Sequence, residues 1–196
     1  MGLELVCIRH GKTQWNKDKR YLGHTDIGIL QESLTELLPV KNALEGRTFH
    51  KIFCSDLKRC RETLDWIYSA STDRVVFDNR LREMDFGDWE GKTYGQLKHS
   101  RIYREWLDNP QSVTPPGGEA WKHFQGRLAD FMNSLTCWVK EEGKDNHVLM
   151  VTHGGVIRQL ATMTIPGSTF WDFSADPGSL LTLKLTCDKG KWIGHL

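Results

Sequence analysis

The stretch from residue 3 to residue 16 constrains the fold most, because an apolar run passes directly into a charged and polar cluster. Residues 3–8 read LELVCI, a pattern typical of a short strand covered on both faces of a sheet. Arg9, His10 and Gly11 follow at once. A strand that ends in a cation, an imidazole and a glycine is typical of the ligand-binding strand ends of α/β proteins. By itself, the stretch leaves open whether His10 has a chemical role or lies there by chance.

Composition argues against several classes of protein. A length of 196 residues predicts one domain with a sizeable core. Lys and Arg total 26 against 25 for Asp and Glu, so the net charge of +1 supports neither a nucleic-acid nor a membrane partner. No apolar run reaches the roughly 18 residues of a membrane span, and no targeting segment is recognisable. The five cysteines contain no C-x-x-C pair, so we expect reduced thiols and a cytoplasmic protein rather than a disulfide framework or a cysteine-rich zinc site.

Hydrophobic periodicity predicts strands that alternate with helices. Strands are expected at residues 3–8, 51–54, 74–77, 147–151, 179–186 and 191–195. Helices are expected at residues 31–45 with a break near Leu38, at about 57–69 capped by Ser55 and Asp56, at 93–107, from Glu119 through Val139, and at 156–163. The alternation predicts an α/β fold with three layers, in which helices cover both faces of a mostly parallel central sheet.

Residues 79–118 differ from this alternating pattern. Acidic and aromatic residues are interleaved over residues 79–91, and the run Pro115-Pro116-Gly117-Gly118 ends the segment with a strong break. We therefore expect a single domain of residues 1–196 in which about 79–118 form an insertion over the site at the strand ends.

Two apolar strands that are far apart in sequence each end in a His-Gly pair, His10-Gly11 and His153-Gly154. If these strands are parallel neighbours, their ends bring the two imidazoles side by side. Arg59 and Glu83 follow two other predicted strands. Because the planar fork of arginine matches phosphate oxygens and helix N-termini add backbone donors, this combination predicts a phosphate site.

Five segments that span most of the chain carry a resemblance to a known family. They are RHGKTQWN (9–16), CSDLKRCRET (54–63), LREMDFGDWEG (81–91), PPGGEA (115–120) and VTHGGVIR (151–158). In this order they resemble the histidine phosphatase superfamily, in the branch that contains cofactor-dependent phosphoglycerate mutases and α-ribazole or broad-specificity phosphatases. The resemblance implies a phosphoglycerate mutase-like fold.

The same resemblance implies a covalent mechanism and a role for each matching residue. His10 is the nucleophile that forms a phosphohistidine, and Glu83 is the acid and then the base. Arg9, Arg59 and His153 hold and neutralise the phosphoryl oxygens. The substrate-binding positions implied are Asn16, Gly23, Thr25 and Gly154. This mechanism requires neither a metal nor another cofactor.

The chain departs from the family pattern at two places. Lys12 stands where an acidic or amide residue is common, and its cation either favours more anionic substrates or points to solvent. Gly28-Ile29-Leu30 replaces the usual Pro-Leu-Thr segment, which leaves the details of the substrate loop open. Arg61, Arg158 and the other six histidines are interpreted as surface, packing or supporting residues.

The length is short for a mutase, which needs extra loops to close over the site. Residues 83–91 are most similar to the α-ribazole and broad-specificity phosphatases. We therefore interpret the chain as a phosphomonoesterase that acts on a small-molecule phosphate monoester, with α-ribazole 5′-phosphate as the favoured substrate. A phosphoglycerate mutase and a catalytically silent phosphate-binding scaffold remain the alternatives.

Overall fold

The computed structural model of the chain describes residues 2–68, 75–189 and 191–196. Its strands form one six-stranded sheet within this part of the chain. They are β1 (Gly2–Arg9), β2 (Lys51–Cys54), β3 (Val75–Phe77), β4 (Asn146–Thr152), β5 (Leu180–Asp188) and β6 (Lys191–His195). Each predicted strand is therefore found, with ends that differ by a few residues. Arg74, the predicted start of the third strand, lies outside the described residues.

The helices of the described residues vary from one turn to six. They are α1 (Gln14–Lys17), α2 (Ser33–Glu36), α3 (Leu38–Leu44), α4 (Lys58–Ile67), α5 (Tyr94–Leu97), α6 (Arg101–Asp108), α7 (Trp121–Glu142) and α8 (Gly154–Thr164). Short 3-10 turns lie at Asn79–Leu81, Gly87–Trp89 and Phe170–Asp172. Among these described helices, none combines the length and apolar character that crossing a membrane would require.

The sheet has the order β3-β2-β4-β1-β5-β6. Its first four strands are parallel, whereas β5 pairs antiparallel with β1 and with β6. The two long buried strands β1 and β4 lie at the centre, where Arg9 is paired with Thr152. Both strands thus end at the same edge of the sheet, as the sequence predicts.

Alternate residues of β1 enter two separate cores. Leu5 and Cys7 pack in the cluster that contains the apolar faces of α7 and α8, whereas Val6 and Ile8 pack in the cluster that contains residues of α3 and α4. Helices consequently cover both faces, and the predicted three-layer α/β fold is confirmed. Residues 79–118 contribute a third, smaller aromatic cluster around Trp89; that this segment is an insertion remains a prediction.

The start of α4 differs from the sequence prediction. Ser55 and Asp56 do not cap it, because Leu57 occupies the N-cap position. Asp26 from the preceding loop instead accepts a hydrogen bond from the backbone N–H of Lys58 at 2.6 Å, so the cap comes from a distant segment. Asp56 binds Arg82 in a two-point ion pair at 2.8 and 2.5 Å. The predicted end of this helix, Ser69, lies outside the described residues.

Three other boundaries were predicted only in part. The predicted break in the helix of residues 31–45 is found at Leu37, and Pro39 lies in the first turn of α3, where its missing N–H costs nothing; the first helix begins at Ser33 rather than at Gln31. The helix predicted at 93–107 is two helices, α5 and α6. Helix α7 begins at Trp121 rather than at Glu119, whose carboxylate forms an ion pair with Arg127 instead.

Replacing Leu128 by alanine is expected to lower the free energy of unfolding by about 2–5 kcal/mol, because Leu128 is fully buried on the core-facing side of α7 and its loss leaves a cavity. Leu38 is 42% exposed, so Leu38→Ala is the control and should change stability by no more than about 0.5 kcal/mol. Chemical denaturation of both variants measures this difference. Equal losses in the two variants would contradict the packing described for α7.

Candidate active site

His10 and His153 come together because β1 and β4 are parallel and in register at their ends. The centroids of the two imidazole rings are 5.1 Å apart, with 63° between the ring planes. The backbone N–H of His10 also donates to the carbonyl of Thr152 at 2.9 Å. Both side chains are buried, with 3% and 0% of their surface exposed. The predicted side-by-side arrangement is thus confirmed.

The hydrogen bonds of His10 determine which ring nitrogen carries the proton. Nδ1 lies 2.7 Å from the carbonyl oxygen of Gly11, and a carbonyl only accepts, so Nδ1 is the donor and Nε2 keeps its lone pair. Burial, followed by the charges of Arg59 and Arg9, holds the pKa of His10 well below the usual histidine value. The turn is fixed by the N–H of Gly11, which donates to Thr63 Oγ1 at 2.9 Å. His10 is therefore a neutral imidazole whose Nε2 carries the lone pair.

Arg59 links His153 to the loop that follows α1. Its guanidinium donates to the carbonyls of Gly23 at 2.7 Å and of Thr25 at 2.9 Å, and its Nε donates to His153 Nδ1 at 3.3 Å. Because arginine can only donate, Nδ1 of His153 accepts and the proton lies on Nε2, which donates to Ser55 Oγ at 2.9 Å. Burial and then the charge of Arg59 lower the pKa of His153 well below its ordinary value. His153 is likewise neutral.

The carboxyl of Glu83 lies at the first turn of α8, close to the strand ends. Its Oε2 accepts from the N–H of Gly155 at 2.9 Å and its Oε1 from the N–H of Met84 at 3.0 Å. A Cβ atom at position 155 would overlap Glu83 Oε1, so a larger residue there would require the carboxyl to shift. The carboxyl of Glu83 is thus bound to the backbone of Gly155, which follows His153 by two positions in the sequence.

Arg9 supplies a second cation at the strand ends. Its Nη1 donates to the carbonyl of Ala175 at 2.5 Å, while its Nε is buried without a hydrogen-bond partner among the described residues. A buried donor without a partner is costly, and an anion placed here would satisfy it. Arg9 and Gly154 both line the adjoining cavity.

This cavity has a volume of about 380 Å³. Asn16 and Glu83 line it together with Arg9 and Gly154, which brings four of the predicted site residues to one surface. Aromatic rings form much of the remaining wall, among them Tyr21, Phe86, Trp106, Trp121, Phe170 and Trp171. The arrangement can hold an anion at the strand ends and a flat apolar group beside it.

Gly23, Thr25 and Lys12 are not among the residues that line this cavity. Gly23 and Thr25 contact Arg59 through their carbonyl oxygens, as described above. The Nζ of Lys12 lies 2.8 Å from Glu36 Oε1, and both side chains are more than one-third exposed. Of the two interpretations of Lys12, the structure favours a solvent-facing cation paired with Glu36.

Arg158 was interpreted from sequence as a surface or supporting residue, but it lines the cavity. Its Nε donates to the carbonyl of Phe173 at 2.9 Å, and its guanidinium lies 5.7 Å from the ring centroids of both Phe170 and Trp171. The available signal was its spacing, since residue 158 follows Gly154 by four positions and shares its helix face. Ser55 and Thr63 were also missed, because hydroxyls that orient a histidine or a turn carry no sequence pattern.

Known proteins resemble this chain both in sequence and in fold. The family model of the histidine phosphatase superfamily, branch 1, matches residues 5–195. An adenosylcobalamin/alpha-ribazole phosphatase of Escherichia coli (strain K12) is 30% identical over 90% of this chain and 87% of the relative. A phosphoglycerate mutase-like protein 4 of Arabidopsis thaliana is 31% identical over 84% of this chain and 72% of its own length.

Among solved structures, an alpha-ribazole phosphatase from Shigella flexneri superimposes with a TM-score of 0.85 at 26% identity, covering 98% of this chain and 95% of that one. The chain belongs to branch 1 of the histidine phosphatase superfamily.

Proposed function

We propose that this protein is a phosphomonoesterase that forms a phosphohistidine at His10 and that acts on α-ribazole 5′-phosphate. The observation that carries the proposal is the neutral His10, whose Nε2 keeps its lone pair beside His153 and within the electrostatic influence of Arg59 and Arg9. A nucleophile must be unprotonated at working pH, and a histidine next to fixed cations meets that requirement.

In the first step, Nε2 of His10 attacks the phosphorus of the monoester. The bond between phosphorus and the ester oxygen breaks, and the carboxylic acid of Glu83 gives its proton to the departing oxygen. General acid catalysis of this kind contributes on the order of 10²–10⁴ in rate. The contacts of Glu83 with Gly155 and Met84 support the assignment, because they keep its carboxyl at the start of α8.

In the second step, water attacks the phosphorus of the phosphohistidine. The Glu83 carboxylate takes the proton from this water, the bond between nitrogen and phosphorus breaks, and the electron pair returns to Nε2. Free phosphate leaves, and both residues recover their starting protonation states. One carboxyl group thus serves as acid and then as base.

Throughout both steps, charge spreads over the three non-bridging oxygens of the phosphoryl group. We assign Arg9, Arg59 and His153 to hold these oxygens, with Asn16 adding a neutral hydrogen bond. The unpartnered Nε of Arg9 supports its role, because an oxygen anion would complete its hydrogen bonding. None of these roles requires a metal ion or other cofactor.

Two observations support α-ribazole 5′-phosphate as the substrate. Relatives similar over most of the chain carry the name adenosylcobalamin/alpha-ribazole phosphatase. The aromatic wall of the cavity and the Arg158 guanidinium suit a nucleoside with a flat base, since rings stack on rings and on guanidinium planes.

The five cysteines are free thiols, which is consistent with the proposed cytoplasmic location.

Intact-protein mass measurement after a rapid, acid-free quench with an aryl phosphate tests the mechanism. Wild-type protein is expected to show a transient phosphoryl adduct that His10→Ala lacks, because the variant has no nucleophile. Glu83→Gln should accumulate a longer-lived adduct, since nothing takes the proton from the attacking water. Full turnover by His10→Ala would contradict the assignment of the nucleophile. Phosphoryl exchange between monophosphoglycerates with added bisphosphoglycerate would instead favour a mutase.

The depressed pKa of His10 makes a separate prediction for its titration. An ordinary histidine is half protonated near pH ~6.5, whereas lowering the pKa keeps His10 neutral as the pH falls through that value. Long-range ¹H–¹⁵N spectra at pH about 6 should therefore show His10 as the neutral Nδ1–H tautomer. The spectrum of His10→Gln identifies the signal. A doubly protonated ring at that pH would contradict the burial described for this site.

Replacing Trp171, which is 72% exposed at the cavity, tests the site for the base. Trp171→Ala is expected to raise KM for α-ribazole 5′-phosphate by up to about tenfold, since an aromatic contact is worth about 0.5–1.5 kcal/mol. KM for glycerol phosphate should change much less, because glycerol has no ring to stack.

Phe77→Ala is the matched control for Trp171→Ala. Phe77 is also exposed and also lies beside an arginine, with the guanidinium of Arg61 5.1 Å from its ring centroid. It belongs to β3, away from the cavity lining described above. Steady-state kinetics of both variants with both substrates measure the effect. Equal changes in the two variants would remove the support that Trp171 gives to the nucleoside substrate.

A further inference from the structure

We propose that Arg127 and Glu119 are positioning residues that set the orientation of Glu83 for proton transfer. The inference rests on the proposed function, in which Glu83 is the general acid and base. It gives a role to the PPGGEA segment, residues 115–120, for which the mechanism has no direct use.

Arg127 lies on α7 and holds the backbone on the N-terminal side of Glu83. Its Nη1 donates to the carbonyls of Arg80 and Arg82, both at 2.6 Å. Its Nη2 donates to the carbonyl of Glu83 itself at 2.9 Å. One guanidinium therefore fixes three carbonyls in the four residues that end at the proposed acid, which a point charge such as an ammonium cannot do.

Glu119 holds the guanidinium in place and binds the other side of Glu83. Its two carboxylate oxygens accept from Nε of Arg127 at 2.8 Å and from Nη2 at 2.9 Å. The backbone N–H of Glu119 donates to the carbonyl of Asp85 at 2.9 Å. Because the side chains are only 18% and 13% exposed, this two-point ion pair is well shielded from water and geometrically specific.

The residues before Glu119 pack directly on the segment that follows Glu83. The N–H of Asp88 donates to the carbonyl of Pro116 at 2.8 Å. A Cβ at Gly118 would lie 2.5 Å from the carbonyl of Asp85, and a Cβ at Gly87 would overlap the backbone at Pro116 and Gly118. The two segments are therefore in backbone-to-backbone contact, so movement of one displaces the other.

His24 contacts the same carbonyl from a third element. Its Nε2 donates to the Glu83 carbonyl at 3.0 Å, and its Nδ1 lies 3.6 Å from Asp85 Oδ2. The backbone of Glu83 thus receives two donors on one oxygen, while its carboxyl receives the N–H groups of Gly155 and Met84. The side chain keeps little freedom as long as Arg127 and Glu119 hold the segment.

The consequence is a defect specific to proton transfer. A misplaced acid slows the expulsion of an alkoxide, which needs a proton, far more than the expulsion of a nitrophenolate, which leaves without one. Loss of the Arg127–Glu119 ion pair should therefore steepen the dependence of kcat/KM on the pKa of the leaving group. A purely structural role would lower kcat/KM by one common factor for all substrates.

The test is a series of phosphate monoesters, from p-nitrophenyl to simple alkyl phosphates, assayed with Arg127→Gln, Arg127→Lys and Glu119→Gln. Displacement of a catalytic group by about 1 Å costs on the order of 10²-fold, and we expect a loss of that size in kcat/KM for alkyl phosphates, with a much smaller loss for p-nitrophenyl phosphate. Arg127→Lys should show the same selective loss, because the ammonium keeps the charge but not the fork. The parameter kcat/KM is used because it reports the transfer of the phosphoryl group to His10.

Arg47→Gln is the matched control. Arg47 forms a more exposed ion pair with Glu4, at 2.5 Å between Nη2 and Oε1, and Glu4 lies on β1 rather than beside Glu83. Its kcat/KM values should keep the wild-type dependence on the leaving group. Thermal unfolding of every variant shows which ones fold; if Arg127→Gln does not, Arg127→Lys and Glu119→Gln decide the outcome.

Glu83→Gln separates failure of this inference from failure of the proposed function. A steeper leaving-group dependence in Glu83→Gln and in the variants of Arg127 and Glu119 supports both the proposed acid and the positioning role. A steeper dependence in Glu83→Gln alone overturns the positioning role and leaves Glu83 as the acid. An unchanged dependence in Glu83→Gln overturns the proposed acid, and the positioning role falls with it.

Discussion

The site depends on the parallel pairing of β1 with β4, in which Arg9 lies opposite Thr152. A slip of one residue would turn the buried side chains of β1 towards the wrong core, since successive residues face opposite sides of a sheet. That penalty fixes the register, and the register fixes the positions of the residue after each strand. The two imidazoles therefore owe their proximity to packing of side chains such as Leu5 and Val6 rather than to any attraction between them.

Once the rings are adjacent, hydrogen-bond chemistry decides their protonation. Gly11 offers His10 an acceptor, so the proton lies on Nδ1, whereas Arg59 offers His153 a donor, so the proton lies on Nε2. The two histidines thus take opposite tautomers within one pocket. Burial beside cations makes a charged imidazole unfavourable in both cases. The site is prepared for an anion because it has positive charge and no imidazolium that must first lose a proton.

Sequence reasoning succeeded where one pattern determines one structure. The apolar strands, their parallel order and the adjacency of His10 and His153 follow from periodicity and from the rule for parallel strand ends. It failed where a contact joins distant segments by geometry alone. Asp26 caps α4 from an earlier loop in place of Ser55 and Asp56, and nothing local in the sequence marks such a partner. The role of Arg158 was missed because helical periodicity indicates which face of α8 is polar, but it does not indicate that this face lines a cavity.

The close approach of Glu83 to Gly155 has a consequence for how activity can be lost within the superfamily. Position 155 supplies no reacting group, only the space in which a carboxyl meets a backbone N–H. A single added methyl group there would displace Glu83 while leaving both histidines and both arginines unchanged. If Glu83 is the acid and base proposed above, that one change would impair proton transfer while the groups proposed to bind the phosphoryl oxygens stayed in place.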